Sequence, residues 1–174
     1  VVLAVVVFLP FSSRPWALPV LFRLYRSKKE CKNKNARYRK KTELAREMIS
    51  IIVSWAPNRL IAITADSAYC NATVIKGLPK EVVFYGDMRP DAVLTDEPSI
   101  SEKRNSRRIR GKTLPKPNVL AADQRSPWLK CEVELYGISR IIYYKTLDAQ
   151  WYRACGGMLI RIVVVRIDRG KDGI

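Results

Sequence analysis

The sequence predicts an α/β fold, on three observations. Apolar, strand-like runs occupy residues 1–9, 60–65 and 81–86, and an amphipathic helical pattern fills residues 42–56. Short joints connect helix, strand, helix and strand between residues 42 and 86, a rhythm that is typical of a sheet with parallel neighbours. A hydrophobic fraction of 48% over 174 residues is sufficient for a folded core.

The first nine residues, Val1–Leu9, have the composition of a strand that is buried on both faces. A signal peptide or membrane anchor is the alternative, but a spanning helix needs about 20 uninterrupted apolar residues, and Pro10 and Pro15 interrupt this run. We therefore expect a strand here, followed by a second strand around Trp16–Phe22. Because the chain starts in mid-strand without Met, we expect it to be an internal piece of a longer protein.

Residues 42–56 carry the clearest helical pattern, with Thr42 as the expected N-cap and Pro57 as the stop signal. One face is apolar and is expected to pack on a sheet, and the opposite face is expected to contact water. The apolar face consists of Leu44, Met48, Ile51, Ile52 and Trp55, and the polar face consists of Glu43, Arg46, Glu47 and Ser50.

A strand, a helix and another strand follow this helix. Residues 60–65 have the pattern of a short buried strand that ends at Asp66. Residues 67–76 predict a helix, with Gly77 in the position that favours a left-handed cap. Residues 81–86 predict the next strand, so both strands are expected in one sheet.

The character of the chain changes after Met88. Residues 89–118 contain few large apolar side chains and several charges, which indicates a loop or an inserted, adaptable arm. Residues 131–136 and 159–165 predict further strands, the last of them buried. Aromatic residues of this part are expected to pack in the sheet, with stacking on unpaired bases as the alternative. These residues are Tyr136, Tyr143, Tyr144, Trp151 and Tyr152.

The charge balance indicates a polyanionic partner. The chain has 32 Lys and Arg residues against 16 Asp and Glu residues, a net charge of +16. This positive field favours nucleic acid, with an anionic membrane surface as the second candidate and a basic protein without such a partner as the third. Phosphate contacts are expected in two basic runs, residues 23–41 and 103–116. The residues proposed for DNA binding are Lys40, Lys41, Arg104, Arg107, Arg108, Arg110 and Lys112.

Cysteine and histidine usage argues against several kinds of site. The chain has four widely separated cysteines, no Cys-x-x-Cys pair and no His, a pattern that argues against a zinc site. Reduced thiols in a cytoplasm fit this pattern better than a disulfide framework. Because no imidazole base is present, catalysis by this chain would have to use carboxylates or metal ions.

Asp66 is the candidate catalytic and metal-binding residue. It comes directly after a predicted strand and directly before a predicted helix, at the carboxyl edge where open α/β sheets bind their ligands. A structural role is the alternative, because Asp in this position is also a good helix N-cap. The two roles do not exclude each other.

The segment Leu60–Tyr69, an apolar strand ending in Asp followed by small residues and Tyr, resembles the second-aspartate block of bacterial insertion-sequence transposases, the DDE superfamily endonucleases. Other blocks of this family have counterparts in the same order along nearly the whole chain. These counterparts are Val1–Leu9, Trp16–Pro19, Lys41–Arg46, Met88–Leu94 and Arg110–Pro115.

The resemblance implies an RNase H-like mixed sheet with flanking helices, present here only in part. In this family three acidic residues bind two Mg²⁺ ions for DNA strand cleavage and transfer, and Asp66 matches the second of them. The first Asp lies upstream of the segment that matches Val1, and the Glu lies downstream of the segment that matches Ile167. We therefore expect the chain alone to be inactive. A non-catalytic, basic nucleic-acid-binding module and a membrane-associated basic protein are the alternatives.

The resemblance also implies a domain organisation. Residues 1–88 correspond to a partial RNase H-like catalytic core, and residues 89–157 to an inserted, basic and mostly β subdomain. Residues 158–174 correspond to a returning strand and a truncated end. The implied partner is DNA rather than a membrane, the parent enzyme is expected to be a homo-oligomer, and the implied location is the bacterial cytoplasm at the nucleoid.

Overall fold

The computed structural model describes residues 1–99, 109–135 and 137–167. The chain forms two compact units, an N-terminal unit over residues 1–87 and a C-terminal unit over residues 88–174. Each unit contains helices and strands, so the α/β prediction is confirmed at the level of fold class. Among the helices within these described ranges, none is long and apolar enough to cross a membrane.

The N-terminal unit consists of an antiparallel hairpin, a long helix and a parallel pair of strands with short helices between them. In chain order its elements are β1 (Val2–Val7), β2 (Trp16–Phe22), α1 (Lys28–Asn33), α2 (Lys41–Trp55), β3 (Ile61–Ala65), a 3-10 turn (Ser67–Tyr69), α3 (Ala72–Ile75) and β4 (Val82–Gly86).

The hairpin of β1 and β2 confirms both predicted strands, but the expected burial of β1 on both faces is wrong. The strands pair antiparallel from Val2 opposite Phe22 to Val7 opposite Trp16. Along β1 only Leu3 and Val7 are half-buried, and the other side chains are exposed. The reason is that β1 pairs with β2 alone and belongs to a sheet of only two strands among the described residues.

Helix α2 confirms the predicted helix with two corrections. It begins at Lys41 rather than after a Thr42 cap, because the Lys40 backbone N–H donates to Glu43 Oε2 at 2.8 Å. Leu44 and Met48 are buried as expected, and Ile49, which lies off that face, is buried as well. The helix is therefore packed on more than one side.

Trp55 was expected on the buried face of α2 and is instead 60% exposed. It is the last residue of the helix, so it extends beyond the turns that carry the buried side chains. The apolar pattern of the sequence continued to this residue, but the packing ends before it.

Arg46 and Glu47 of α2 were expected to face water, and both are half-buried and paired. The Glu47 carboxylate accepts a hydrogen bond from Arg23 Nε at 2.6 Å and also forms an ion pair with Arg39. The Arg46 guanidinium donates to the carbonyl oxygens of Val74 at 2.8 Å and Gly77 at 2.6 Å. Two consecutive residues of α2 therefore bind the end of the hairpin and the connection between β3 and β4.

Strands β3 and β4 pair in parallel, as the helix–strand rhythm predicted. The single helix expected over residues 67–76 is instead a 3-10 turn followed by the short helix α3. The break occurs at Asn71, which has extended backbone angles and whose side chain caps α3 by accepting the Thr73 N–H. Gly77 has a φ of +71° and occupies the left-handed conformation that was predicted.

The C-terminal unit contains one antiparallel sheet of five strands. Its elements are β5 (Leu94–Thr95), β6 (Thr113–Leu114), α4 (Pro117–Ala122), β7 (Leu129–Leu135), β8 (Ile138–Gln150), α5 (Tyr152–Cys155) and β9 (Leu159–Ile167). Strands β7 and β5 pair along one edge of β8, and β9 pairs along the other edge.

The core of this sheet lies on one of its faces, where Leu94, Ala149 and Ile162 are buried against each other. The expectation that β9 is buried on both faces is therefore wrong, because Val163 and Val165 point to the opposite face and are half exposed. A continuous apolar run predicts burial on both faces, whereas only alternate residues of β9 lie in the core.

Lys145 is buried on the same face of β8, with an exposed fraction of 2%. Its Nζ donates to the carbonyl oxygens of Leu120, at 3.0 Å, and Asp123. The same atom lies 4.7 Å from the centroid of the Trp128 ring. The ammonium group thus has two carbonyl acceptors and an aromatic face in place of water, which fastens the segment after α4 to the sheet.

We predict that Glu47→Gln weakens the dependence of the free energy of unfolding on pH in the acidic range. The Arg23 and Arg39 guanidiniums hold the pKa of Glu47 below its ordinary value. The folded state therefore gains stability that is fully present above the unfolded-state pKa and is lost as the pH falls through the lower folded-state pKa. Urea unfolding across this acidic range measures the effect. Glu134→Gln, which removes an exposed carboxylate of β7, is the control, and an equal change in both variants would contradict the prediction.

We predict that Lys145→Met destabilises the C-terminal unit by about 2–4 kcal/mol, because it leaves two main-chain carbonyls without their buried charged donor. Hydrogen exchange of the β8 amides measures the loss. Lys130→Met, at an exposed position of β7, is the matched control and should change little. Equal protection of β8 in the Lys145 variant and in the unmodified chain would refute this role of the buried ammonium.

Candidate active site

Asp66 directly follows β3, at the carboxyl end of the strand, and its side chain is exposed. It occupies the N-cap position of the 3-10 turn, but its carboxylate makes no capping hydrogen bond to that turn. The turn is instead closed by the main chain, since the Tyr69 N–H donates to the Asp66 carbonyl oxygen at 2.9 Å. The capping alternative therefore does not account for the carboxylate.

The Asp66 carboxylate is oriented by its neighbour. The Ser67 hydroxyl donates to Asp66 Oδ1 at 3.0 Å. The second carboxylate oxygen, Oδ2, has no hydrogen-bond partner among the residues that the structure describes. An oriented, exposed carboxylate of this kind can accept a hard cation.

Asp87 is a second carboxylate at the same edge of the sheet. Parallel pairing sets Ala65 opposite Gly86, so Asp66 and Asp87 each follow the last paired residue of neighbouring strands. Neighbouring strands lie about 4.8 Å apart, so the two residues follow adjacent strand ends. In the sequence Asp87 is an available carboxylate, but it stands at no motif position of the family and only Asp66 is predicted as a site residue. The strand before each aspartate and the alternation of helices and strands together were a signal for the pair.

Cys70 lies close to both aspartates and to the end of β4. Its pKa is raised above the ordinary thiol value, first by burial and then by the negative charges of Asp87 and Asp66. The approach is close, because a Cβ on Gly86 would lie 2.3 Å from Cys70 Sγ and 3.4 Å from the Ala65 carbonyl oxygen. A larger residue at position 86 would require the Cys70 side chain to shift, so glycine allows the turn after β3 to pack closely against the end of β4.

The acidic edge formed by Asp66 and Asp87 offers oxygen ligands of the type that Mg²⁺ takes. In residues 1–99, 109–135 and 137–167, no group of three or more His, Cys, Asp or Glu side chains could hold a metal ion. The fit of a metal is therefore partial, since two metal ions would need further carboxylates.

Two of the proposed DNA-binding residues, Lys40 and Lys41, lie at the start of α2 in the N-terminal unit, and both are exposed. Lys41 Nζ lies 5.1 Å from the centroid of the Tyr25 ring. Tyr25 in turn makes an edge-on contact with Tyr38, with ring centroids 6.4 Å apart. The lysine is thus placed over an aromatic pair while its charge stays accessible.

Of the other five residues, Arg104, Arg107 and Arg108 lie outside the described residues, and Arg110 and Lys112 are exposed in the C-terminal unit. The Arg110 guanidinium lies 4.2 Å from the centroid of the Tyr152 ring, a contact that the sequence did not indicate.

Backbone hydrogen bonds hold the chain around Gly111 in place. The Gly111 N–H donates to the Asp96 carbonyl oxygen at 3.0 Å, and the Asp96 N–H donates to the Lys112 carbonyl oxygen at 2.8 Å. A Cβ on Gly111 would lie 2.7 Å from the carbonyl oxygens of both Asp96 and Glu97. The glycine was expected to make this arm adaptable, and it instead permits close packing that fixes residues 110–112.

Comparison with known proteins identifies the family of the chain. No curated protein and no solved structure gave a significant match to the chain. The family model described as DDE superfamily endonuclease matches residues 1–153, which is most of the 174 residues and includes both Asp66 and Asp87. The chain therefore belongs to the DDE superfamily endonucleases.

Proposed function

We propose that this chain is part of the catalytic core of a bacterial insertion-sequence transposase, with an RNase H-like sheet, and that Asp66 is one of its metal-binding catalytic aspartates. The single observation that carries the proposal concerns the carboxylate of Asp66. It is exposed, it does not cap the 3-10 turn, and it lies at the carboxyl end of a parallel strand within the region that the family model matches. The reaction is cleavage and transfer of DNA strands.

The chemistry divides between the metal and the protein. Bound Mg²⁺ supplies activation of an attacking oxygen and stabilisation of the leaving oxygen at a phosphodiester. Asp66 contributes an anionic oxygen ligand at the edge of the sheet, and the Ser67 hydroxyl donates a hydrogen bond to that carboxylate. This hydrogen bond favours one carboxylate orientation before a ligand binds, which reduces the order that has to be gained on binding.

We further propose that the chain alone is inactive, since the first Asp and the Glu of the family pattern lie outside it. Strands β1 and β3 each pair with one neighbour among the described residues, so each has an edge on which an upstream strand could pair. This supports a core that is completed by further chain. The parent enzyme would act on DNA in the bacterial cytoplasm as a homo-oligomer.

The basic residues are proposed to bind the DNA backbone rather than to read its bases. Lys40 and Lys41 would do so from the N-terminal unit that contains Asp66, and Arg110 and Lys112 would do so from the C-terminal unit, together with Arg104, Arg107 and Arg108. The aromatic rings beneath Lys41 and Arg110 support this role, because they position a cation without neutralising it.

We predict that Mn²⁺, added to the purified chain, selectively broadens the NMR signals of residues 65–67 and 86–87, because Asp66 supplies a carboxylate ligand at this edge. Binding should be weak, since few ligands are present. Asp66→Asn should abolish the broadening. Asp91→Asn, which removes an exposed aspartate already paired with Arg89, is the control and should leave it unchanged.

The same sample should not nick supercoiled DNA in Mg²⁺. Nicking that requires Mg²⁺ and is lost in Asp66→Ala would contradict the proposed inactivity of the chain. Salt-sensitive DNA binding without any Mn²⁺ effect at residues 65–67 would instead support a non-catalytic nucleic-acid-binding module and would overturn the catalytic proposal.

We predict that Arg110→Gln and Lys112→Gln each weaken binding to duplex DNA. Each should also reduce the slope of log K against log salt by about 0.9, as expected for the loss of one phosphate contact. Arg89→Gln is the matched control, because Arg89 is a C-terminal-unit arginine already paired with Asp91 through two hydrogen bonds of 3.0 Å. Fluorescence anisotropy over a salt series measures both quantities, and slopes that match the control would exclude these contacts.

A further inference from the structure

One face of the β7–β8–β9 sheet carries a row of cationic and aromatic side chains, of which the sequence had indicated only Tyr143. Lys130 of β7 is directly opposite Tyr143 of β8, and Tyr143 is directly opposite Arg166 of β9. Residues that are directly opposite share a face of the sheet. Trp128, just before β7, contacts Arg166 as well. We refer to Trp128, Lys130, Tyr143 and Arg166 as the Arg166 patch.

Arg166 is held by two aromatic rings. Its guanidinium carbon lies 4.9 Å from the centroid of Trp128 and 5.3 Å from the centroid of Tyr143. The residue is nevertheless exposed. Contacts with ring faces leave the N–H groups at the rim of the guanidinium available to an acceptor. The side chain is therefore both positioned and accessible.

No carboxylate of the described residues forms an ion pair with Arg166. Arg161, on the same strand but on the opposite face, provides the contrast. Its guanidinium donates to both carboxylate oxygens of Asp148 at 2.8 Å, so its charge is compensated. With respect to the described residues, the same strand thus carries one arginine that is paired with a carboxylate and one that is not.

The buried Lys145 adds to the positive charge of the Arg166 patch. Its ammonium lies 4.7 Å from the Trp128 centroid, so two cations contact a single ring. Lys145 is saturated by main-chain carbonyls and cannot itself reach a ligand. Its charge still raises the potential at Arg166, where an anion would lower the electrostatic energy.

Glu132 is the nearest acidic residue along the same face of β7. Its carboxylate accepts a hydrogen bond from the hydroxyl of Ser139, which lies opposite Glu134 and further along β8 from Tyr143. It therefore borders the Arg166 patch without neutralising Arg166. Lys130, two residues before Glu132 on β7, is exposed and extends the positive surface.

We propose that the Arg166 patch binds a backbone phosphate of DNA, with the Arg166 guanidinium as the direct ligand and Lys130 as a supporting charge. The inference rests on the proposed function in one respect only, namely that DNA is the partner. A guanidinium presents paired N–H donors that match two oxygens of a phosphate. Because Trp128 and Tyr143 already fix the side chain, binding loses less rotamer freedom than at an unsupported arginine.

The test compares Arg166→Gln with Arg161→Gln in the full chain. Both variants remove one positive charge from β9, but only Arg166 belongs to the patch. Binding of a fluorescent DNA duplex is measured by anisotropy over a salt series. Arg166→Gln should weaken binding on the order of tenfold, as expected for one charge-assisted phosphate contact. It should also reduce the slope of log K against log salt by about one. Arg166→Lys, which keeps the charge, should restore the slope.

The outcomes separate the patch from the proposed function. Normal binding by Arg161→Gln together with the loss in Arg166→Gln supports the proposal. Equal affinities and equal salt slopes for the two glutamine variants would overturn it while leaving DNA as the partner of the chain. Failure of the unmodified chain to bind DNA would overturn both the patch and the proposed function. Thermal unfolding of each variant shows whether a loss of DNA binding is caused by misfolding. If Arg166→Gln misfolds, the test rests on Arg166→Lys, whose slope of log K against log salt should equal that of the unmodified chain.

Discussion

Arg46 and Glu47, two consecutive residues of α2, hold the N-terminal unit together. Among the described residues the β1–β2 hairpin and the β3–β4 pair share no strand pairing, so their hydrogen bonds do not join them. Glu47 binds Arg23, which follows β2, and Arg46 binds the carbonyl oxygens of Val74 and Gly77 between β3 and β4. Helix α2 therefore connects the hairpin to the parallel pair at whose end Asp66 lies, through these polar contacts and through buried apolar side chains such as Met48 and Val74.

The sequence was sufficient to predict six of the described strands (β1 to β4, β7 and β9), the long helix and the location of Asp66, because each has a local signal in the apolar pattern or in the residue that ends it. It did not predict β8 or the two-residue strands β5 and β6. It was not sufficient to predict burial. Val2 and Val163 belong to apolar runs that indicated two-sided burial, and both are exposed because burial depends on which elements cover a strand. The half-buried Arg46 and Glu47 were read as water-facing for the same reason.

Contacts between distant residues account for most of what the sequence missed at the candidate sites. Asp87 joins Asp66 only through the parallel register of β3 and β4. Tyr152 comes under Arg110 through the antiparallel sheet, and neither residue has a local pattern that indicates the other. The charge of +16 correctly raised the question of a polyanionic partner, but composition does not distinguish a compensated arginine from an uncompensated one.

The close approach of Gly86 to Cys70 makes one small space common to two positions. A methyl group at position 86 would occupy the space of Cys70 Sγ, so alanine fits there only if the Cys70 side chain rotates away, position 70 becomes smaller or the turn moves outward. This shared space lies at the end of β4, directly before Asp87. Larger side chains are therefore accommodated at one of the two positions only at the expense of the other.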